Sequence, residues 1–101
     1  MKVEIFYFEG CPNHKPAVER VRSVLMQQGI SAELTEIEVP DAESAEAVGF
    51  LGSPTIRVNG LDIDPAARAA KQAGFACRHY SGGLPSEAMI RMALLEAQGQ
   101  T

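Results

Sequence analysis

Residues 55–63 read Thr55-Ile56-Arg57-Val58-Asn59-Gly60-Leu61-Asp62-Ile63, two short apolar-polar alternations joined by Asn-Gly. That dipeptide supplies the two positive φ angles of a type I′ turn, whose twist matches that of the strands it connects. Counting outward from it pairs Val58 with Leu61, Arg57 with Asp62 and Ile56 with Ile63. Two apolar pairs then share one face and an Arg57–Asp62 ion pair occupies the other, so the register supports itself.

Upstream of this hairpin the pattern is strand, helix, strand, helix. Residues 2–8 begin as an alternation and become continuously apolar and aromatic, as suits a central strand buried on both faces at its far end. After Glu9-Gly10-Cys11-Pro12, the positions Ala17, Val18, Val21, Val24 and Leu25 recur at helical spacing until Gly29 supplies a stop. Pro16 is awkward for a helix that begins at Cys11, so the helix is either kinked there or starts later, near Lys15. Ile30, Ala32 and Leu34 alternate and then shift phase to Ile37 and Val39, which reads as a second strand bulged or bent near Glu36. Asp41 is placed to cap a short helix carrying Ala45, Val48 and Leu51, with Gly49 and Gly52 able to end it. Because the first helix crosses between them, the two strands should be parallel neighbours.

Downstream, Asp64-Pro65-Ala66 suits a capped helical turn, and Phe75-Ala76-Cys77-Arg78-His79-Tyr80 an extended segment. A last helix starts near Pro85 or Ser86 and buries Met89, Ile90, Ala93, Leu94 and Ala97, with Met89 and Met92 as core filler. No linker or internal repeat interrupts residues 1–101, which have the size of a single domain.

Composition narrows the function classes. Of the 101 residues 46% are hydrophobic and 22% charged, an ordinary globular balance, and the net charge of −4 argues against nucleic-acid binding, which needs a clustered basic surface. Between Arg22 and Arg57 every formal charge is negative, from Glu33 to Glu46, as in a solvated strand face running into an acidic helix start. No run is long enough for a membrane span, and the start lacks the apolar core of a secretory signal; a cytoplasmic protein is expected. Two cysteines, Cys11 and Cys77, are too few for a disulfide scaffold and point to redox chemistry, metal binding or no role.

The order β-α-β-α-β-β-α over nearly the whole chain, with Cys11-Pro12-Asn13-His14 after the first strand and Gly52-Ser53-Pro54-Thr55 before the hairpin, resembles the thioredoxin-like superfamily. The resemblance implies an α/β fold with a four-stranded mixed sheet and helices on both faces. It implies a cis-Pro54 facing Cys11, with Pro12, Ser53 and Thr55 beside the substrate. A cysteine at a helix start also sees unpaired N–H groups and the positive dipole end, which stabilise thiolate over thiol. His14 stands where thioredoxins carry a second cysteine. Imidazole cannot attack a mixed disulfide, but it can hydrogen-bond the Cys11 thiolate.

Catalysis would therefore involve Cys11, His14 and Pro54, with Cys11 acting alone or Cys77 resolving it. The substrate expected is a protein or low-molecular-weight thiol or disulfide, and no cofactor is implied. The glycine-rich acidic signature of glutaredoxins is missing at Leu61-Asp62-Ile63-Asp64, which argues against glutathione. Two other readings remain open. Cys11, His14, Cys77 and His79 would make a four-ligand site for zinc or another soft metal, and the fold could serve as a binding domain without activity.

Overall fold

Lys2-Val3-Glu4-Ile5-Phe6-Tyr7 forms the first strand, β1 (Lys2–Tyr7), in a computed structural model that describes residues 1–69, 78, 80 and 84–99. Successive side chains of a strand point to opposite faces, and β1 becomes apolar on both at its far end, past Lys2 and Glu4. Val3 and Ile5 are fully buried on one face and Phe6 is buried on the other. A strand covered on both faces belongs in a sheet interior, and β1 is paired along both edges. One neighbour is β2 (Glu33–Glu38), parallel from Lys2↔Glu33 to Tyr7↔Glu38. The other is β3 (Thr55–Val58), antiparallel from Val3↔Val58 to Phe6↔Thr55. The short β4 (Leu61–Asp62) completes a mixed sheet of order β2-β1-β3-β4.

Among the described residues three α-helices accompany the sheet: α1 (His14–Gln28), α2 (Ala42–Val48) and α3 (Glu87–Gln98). α1 and α3 pack on the face of Val3 and Ile5, joined there by Ile56, Val58 and Ile63. On the opposite face Phe6 and Val39 meet Ala45 of α2 and Phe50. The chain is thus a mixed α/β protein with helices on both faces of the sheet. A 3-10 turn (Pro65–Ala69) follows β4, and Arg68 ties it to α3 through a two-bond pair with Glu96 at 2.7 and 3.2 Å.

Local chemistry accounts for the boundaries. α1 starts at His14, so Pro16 is its third residue, where a missing N–H costs nothing because no intrahelical acceptor exists for it. The five apolar positions of the helical spacing are its buried face. Gly29, at φ 64°, ends it by donating to Met26 O while Ile30 N–H reaches Leu25 O. α2 is capped by Asp41, whose carboxylate accepts the Ser44 N–H at 2.7 Å and is held below its ordinary pKa by that bond. Ser86 caps α3 in the same way, accepting from Met89 N–H at 3.0 Å. At the hairpin both Asn59 (φ 50°) and Gly60 (φ 85°) are left-handed, and the pairs Val58↔Leu61 and Arg57↔Asp62 are in the expected register. Ile63 N–H continues it to Ile56 O.

Four expectations are corrected. β2 has no bulge at Glu36, because it pairs with β1 residue for residue. Its change of phase marks a change of cover: Leu34 lies on the α1 face, whereas Ile37 packs beneath α2. Arg57 and Asp62 face each other across the hairpin without forming an ion pair. Arg57 instead donates to Val48 O and Gly49 O at the end of α2 and lies over the Phe6 ring, while Asp62 binds Arg78. Val48 is exposed and Leu51 lies beyond the helix; the anchor of α2 is Phe50, fully buried two residues past its end. Its N–H bonds Ala45 O, so the turn that ends the helix also drives that ring into the core. Met92 is 68% exposed and borders an apolar groove beside the 3-10 turn rather than filling the core.

Ile5 is fully buried at the centre of this arrangement. Ile5→Ala should lower the unfolding free energy by about 2–5 kcal/mol, the range for deleting a large buried aliphatic side chain, as read from urea denaturation. A loss comparable to that of an exposed position would contradict the placement of β1.

Candidate functional site

The loop between β1 and α1 holds Cys11. A β-turn closes Phe8 O onto Cys11 N–H at 3.3 Å, with Gly10 at its third position in the positive-φ geometry (87°) that a type II turn requires. Cys11 comes three residues before the first residue of α1 rather than within its first turn. The polar contact of its thiol is a backbone carbonyl and not a helix N–H: Sγ lies 3.7 Å from Ser53 O, with S–H donating. The expectation that the helix terminus meets the sulfur is corrected accordingly. Cys11 is a free thiol, 8% exposed.

Opposite the thiol, the Ser53–Pro54 peptide bond is cis and both residues are buried. Ser53 is a junction of several bonds. Its hydroxyl accepts Phe8 N–H at 3.3 Å, and its carbonyl accepts Arg78 N–H at 2.9 Å in addition to the Cys11 thiol. Thr55 Oγ1 donates to Gly52 O at 2.6 Å. The side chains of Ser53 and Thr55 are therefore engaged internally, and of the three expected substrate neighbours only Pro12 is exposed.

Arg78 and Tyr80 lock this junction from the other side. The Arg78 guanidinium makes a two-bond pair with the Asp62 carboxylate at 2.7 and 3.0 Å, in which the side chains are only 10% and 5% exposed. It also lies 4.3 Å from the centroid of the Tyr80 ring. The Tyr80 hydroxyl donates to Pro54 O at 2.9 Å, and burial raises its pKa far above the ordinary value. Sequence reasoning did not assign Asp62, Arg78 or Tyr80 to this region. The available signal was an aspartate between two apolar residues on a short strand, which needs a cation when buried.

His14 faces away from the expected role. Its ring stacks on Tyr7, with centroids 3.6 Å apart and planes 4° from parallel, and its Nε2 meets Glu36 Oε1 at 2.6 Å. These contacts bind α1 to β1 and β2, and neither includes the Cys11 sulfur. The outer surface of the loop is a pocket of about 500 Å³ bordered by Tyr7, Glu9, Cys11, Pro12, His14 and Lys15. Among the described residues no group of three or more His, Cys, Asp or Glu gathers to hold a metal. Cys77 and His79, expected as a resolving thiol and as metal ligands, lie outside the described residues. No helix among the described residues is long and apolar enough to cross a membrane.

A family described as a domain of unknown function, DUF2703, matches residues 13–97. The matched region takes in Ser53, Pro54 and Cys77 and begins two residues after Cys11. A search of curated proteins found no match to the chain.

The Tyr7 phenol is pushed above its ordinary pKa, first by burial and then by the negative charges of Glu38, Glu36 and Glu9. In a spectrophotometric titration, both tyrosines should ionise above the ordinary value of about 10, Tyr80 furthest. Glu38→Gln should lower the midpoint assigned to Tyr7 and leave that of Tyr80 in place; an unmoved Tyr7 midpoint would contradict this electrostatic environment.

Proposed function

The chain belongs to the DUF2703 family, and we propose that it is a thioredoxin-like thiol–disulfide exchange protein whose nucleophile is Cys11. The observation that supports this most directly is the placement of a free thiol against a cis-proline loop: Cys11 Sγ lies 3.7 Å from the carbonyl of Ser53, the residue before Pro54, beneath an open pocket. The strand and helix order and the mixed sheet agree with the same reading. Its site of action is taken to be the cytoplasm, in keeping with a chain that holds only two cysteines.

In the first step Cys11 gives its proton to solvent, and the thiolate attacks one sulfur of a substrate disulfide. A Cys11–substrate disulfide forms, the substrate S–S bond breaks, and the second substrate sulfur leaves as a thiolate with the bonding electron pair. A second thiol must then attack the mixed disulfide, releasing reduced substrate. Cys77 is the candidate within the chain. It is joined by a peptide bond to Arg78, whose N–H bonds the Ser53 carbonyl that the Cys11 thiol also contacts. His14 is assigned the holding of the loop, through Tyr7 and Glu36, rather than proton transfer at sulfur.

Mixed-disulfide formation with a small aromatic disulfide should be lost at residue 11 in Cys11→Ser. In Cys77→Ser the Cys11 adduct should form and persist. Persistence of the adduct on Cys11 in the wild type, under conditions that leave Cys77 reduced, would remove Cys77 as resolver. An unreactive Cys11 in the folded protein would overturn the proposal itself.

Mass spectrometry of the oxidised wild-type monomer should find it lighter by two hydrogens, with a Cys11–Cys77 link after proteolysis. Finding only intermolecular or small-thiol adducts would mean that Cys11 acts alone.

A further inference from the structure

The backbone edge facing the Cys11 thiol is occupied by the chain itself. Ser53 O accepts Arg78 N–H at 2.9 Å and has the Cys11 sulfur 3.7 Å away. A carbonyl oxygen has two lone pairs; the thiol gives up its share when it ionises, but the Arg78 N–H keeps its own, and it occupies the oxygen as the N–H of a pairing strand would. An extended polypeptide carrying a disulfide would bind beside the thiol by adding to an exposed backbone edge. At Ser53 that edge is closed.

Side chains hold the closing segment in place. The Arg78 fork grips both oxygens of Asp62, a geometry more directional than a single contact. Asp62 is itself fixed in the sheet, on β4 opposite Arg57. Arg57 is committed to the carbonyls that end α2, and among the described residues Arg78 is the cation on the Asp62 carboxylate. Tyr80 adds a further anchor on the adjoining carbonyl, that of Pro54.

Resting on the reading of Cys11 as a nucleophile, we infer that the Asp62–Arg78 pair determines substrate class: by holding the backbone of residue 78 on Ser53, it confines Cys11 to low-molecular-weight disulfides and turns away disulfides carried on extended polypeptide. Asp62 and Arg78 are positioning residues, since neither touches the reacting sulfurs. What they control is whether a substrate backbone can reach the carbonyl beside the thiol.

The test uses a Cys77→Ser background, in which Cys11 is the sole thiol. Two mixed disulfides of thionitrobenzoate are compared, one with 2-mercaptoethanol and one with an unstructured peptide bearing a central cysteine. In each, the Cys11 thiolate attacks the non-aromatic sulfur, an S–S bond forms to it, and the same coloured thionitrobenzoate thiolate departs with the electron pair. Each rate is divided by that of the same reagent with free cysteine, which cancels intrinsic reactivity. The small reagent should be favoured by about tenfold or more, because the peptide backbone must displace the Arg78 N–H from Ser53 O to lie beside the thiol, and tenfold is the scale of losing one such hydrogen bond.

Asp62→Asn and Arg78→Gln should raise the peptide rate and shrink that ratio, and Arg78→Lys, which keeps the charge but not the fork, should restore only part of it. A role confined to stability would change both reagents together and leave the ratio where it was. A ratio near one in the Cys77→Ser protein, or a ratio unmoved in variants that still melt cooperatively, overturns the inference while leaving Cys11 as the nucleophile. The first of these needs no folded clamp variant. Failure to release thiolate from either reagent overturns the proposed function instead.

Discussion

The oxygen of Ser53 is where the two halves of the chain meet. It receives the thiol of the loop that leaves β1 and the N–H of a residue that follows the hairpin, while the hydroxyl of the same serine takes the N–H of Phe8. A buried carbonyl with no partner carries a substantial desolvation cost, as does a buried N–H. Positioning the cysteine loop and closing the sheet end are thus one requirement. Arg78 could not leave this oxygen without also straining its pairing with a carboxylate that is nearly inaccessible to water.

β1 makes that junction possible by becoming apolar on both faces at its far end. Had one face been solvated, α2 would have had nothing to cover, and the chain between β2 and β3 would not return across the sheet end to bring residues 52–55 beside the cysteine loop. The turns that finish α1 and α2 have the same construction: a left-handed glycine, then an apolar residue whose N–H reaches back to the helix. In the second, the apolar residue is Phe50, so the end of α2 and the core of the α2 face are built by one turn.

Features carried by short-range rules were legible in the sequence. Asn59-Gly60 determined a register that holds through Ile63 and helical spacing identified the five buried residues of α1, whereas Cys11 facing Pro54 was implied by the resemblance to the thioredoxin-like superfamily. What escaped was set by a third element acting on a pair. Alternation correctly placed Arg57 across from Asp62, yet each side chain found a stronger partner elsewhere, Arg57 in the free carbonyls at the end of α2 and Asp62 in a guanidinium sixteen residues along the chain. The phase change in β2 looked like a bulge because a strand covered on different faces along its length imitates one. His14 was read against the thioredoxin pattern at its own position, which directs attention to the sulfur. Tyr7 and Glu36, on two adjacent strands, offered a ring to stack on and a carboxylate to bond. Phe50 did carry a local signal, an apolar residue directly after a glycine and five after Ala45.

β2 forms one border of the sheet, with β1 on its inner side alone. Such a border presents a row of backbone donors and acceptors that invites another strand. Here it carries Glu33, Glu36 and Glu38, all exposed, and the acidic run continues into Asp41 and Glu43 at the start of α2. Two copies of the chain approaching along this border would bring one row of carboxylates against another. Negative charge along the open side of the sheet thus disfavours the pairing of two such borders, a device that natural sheets use against edge-to-edge association.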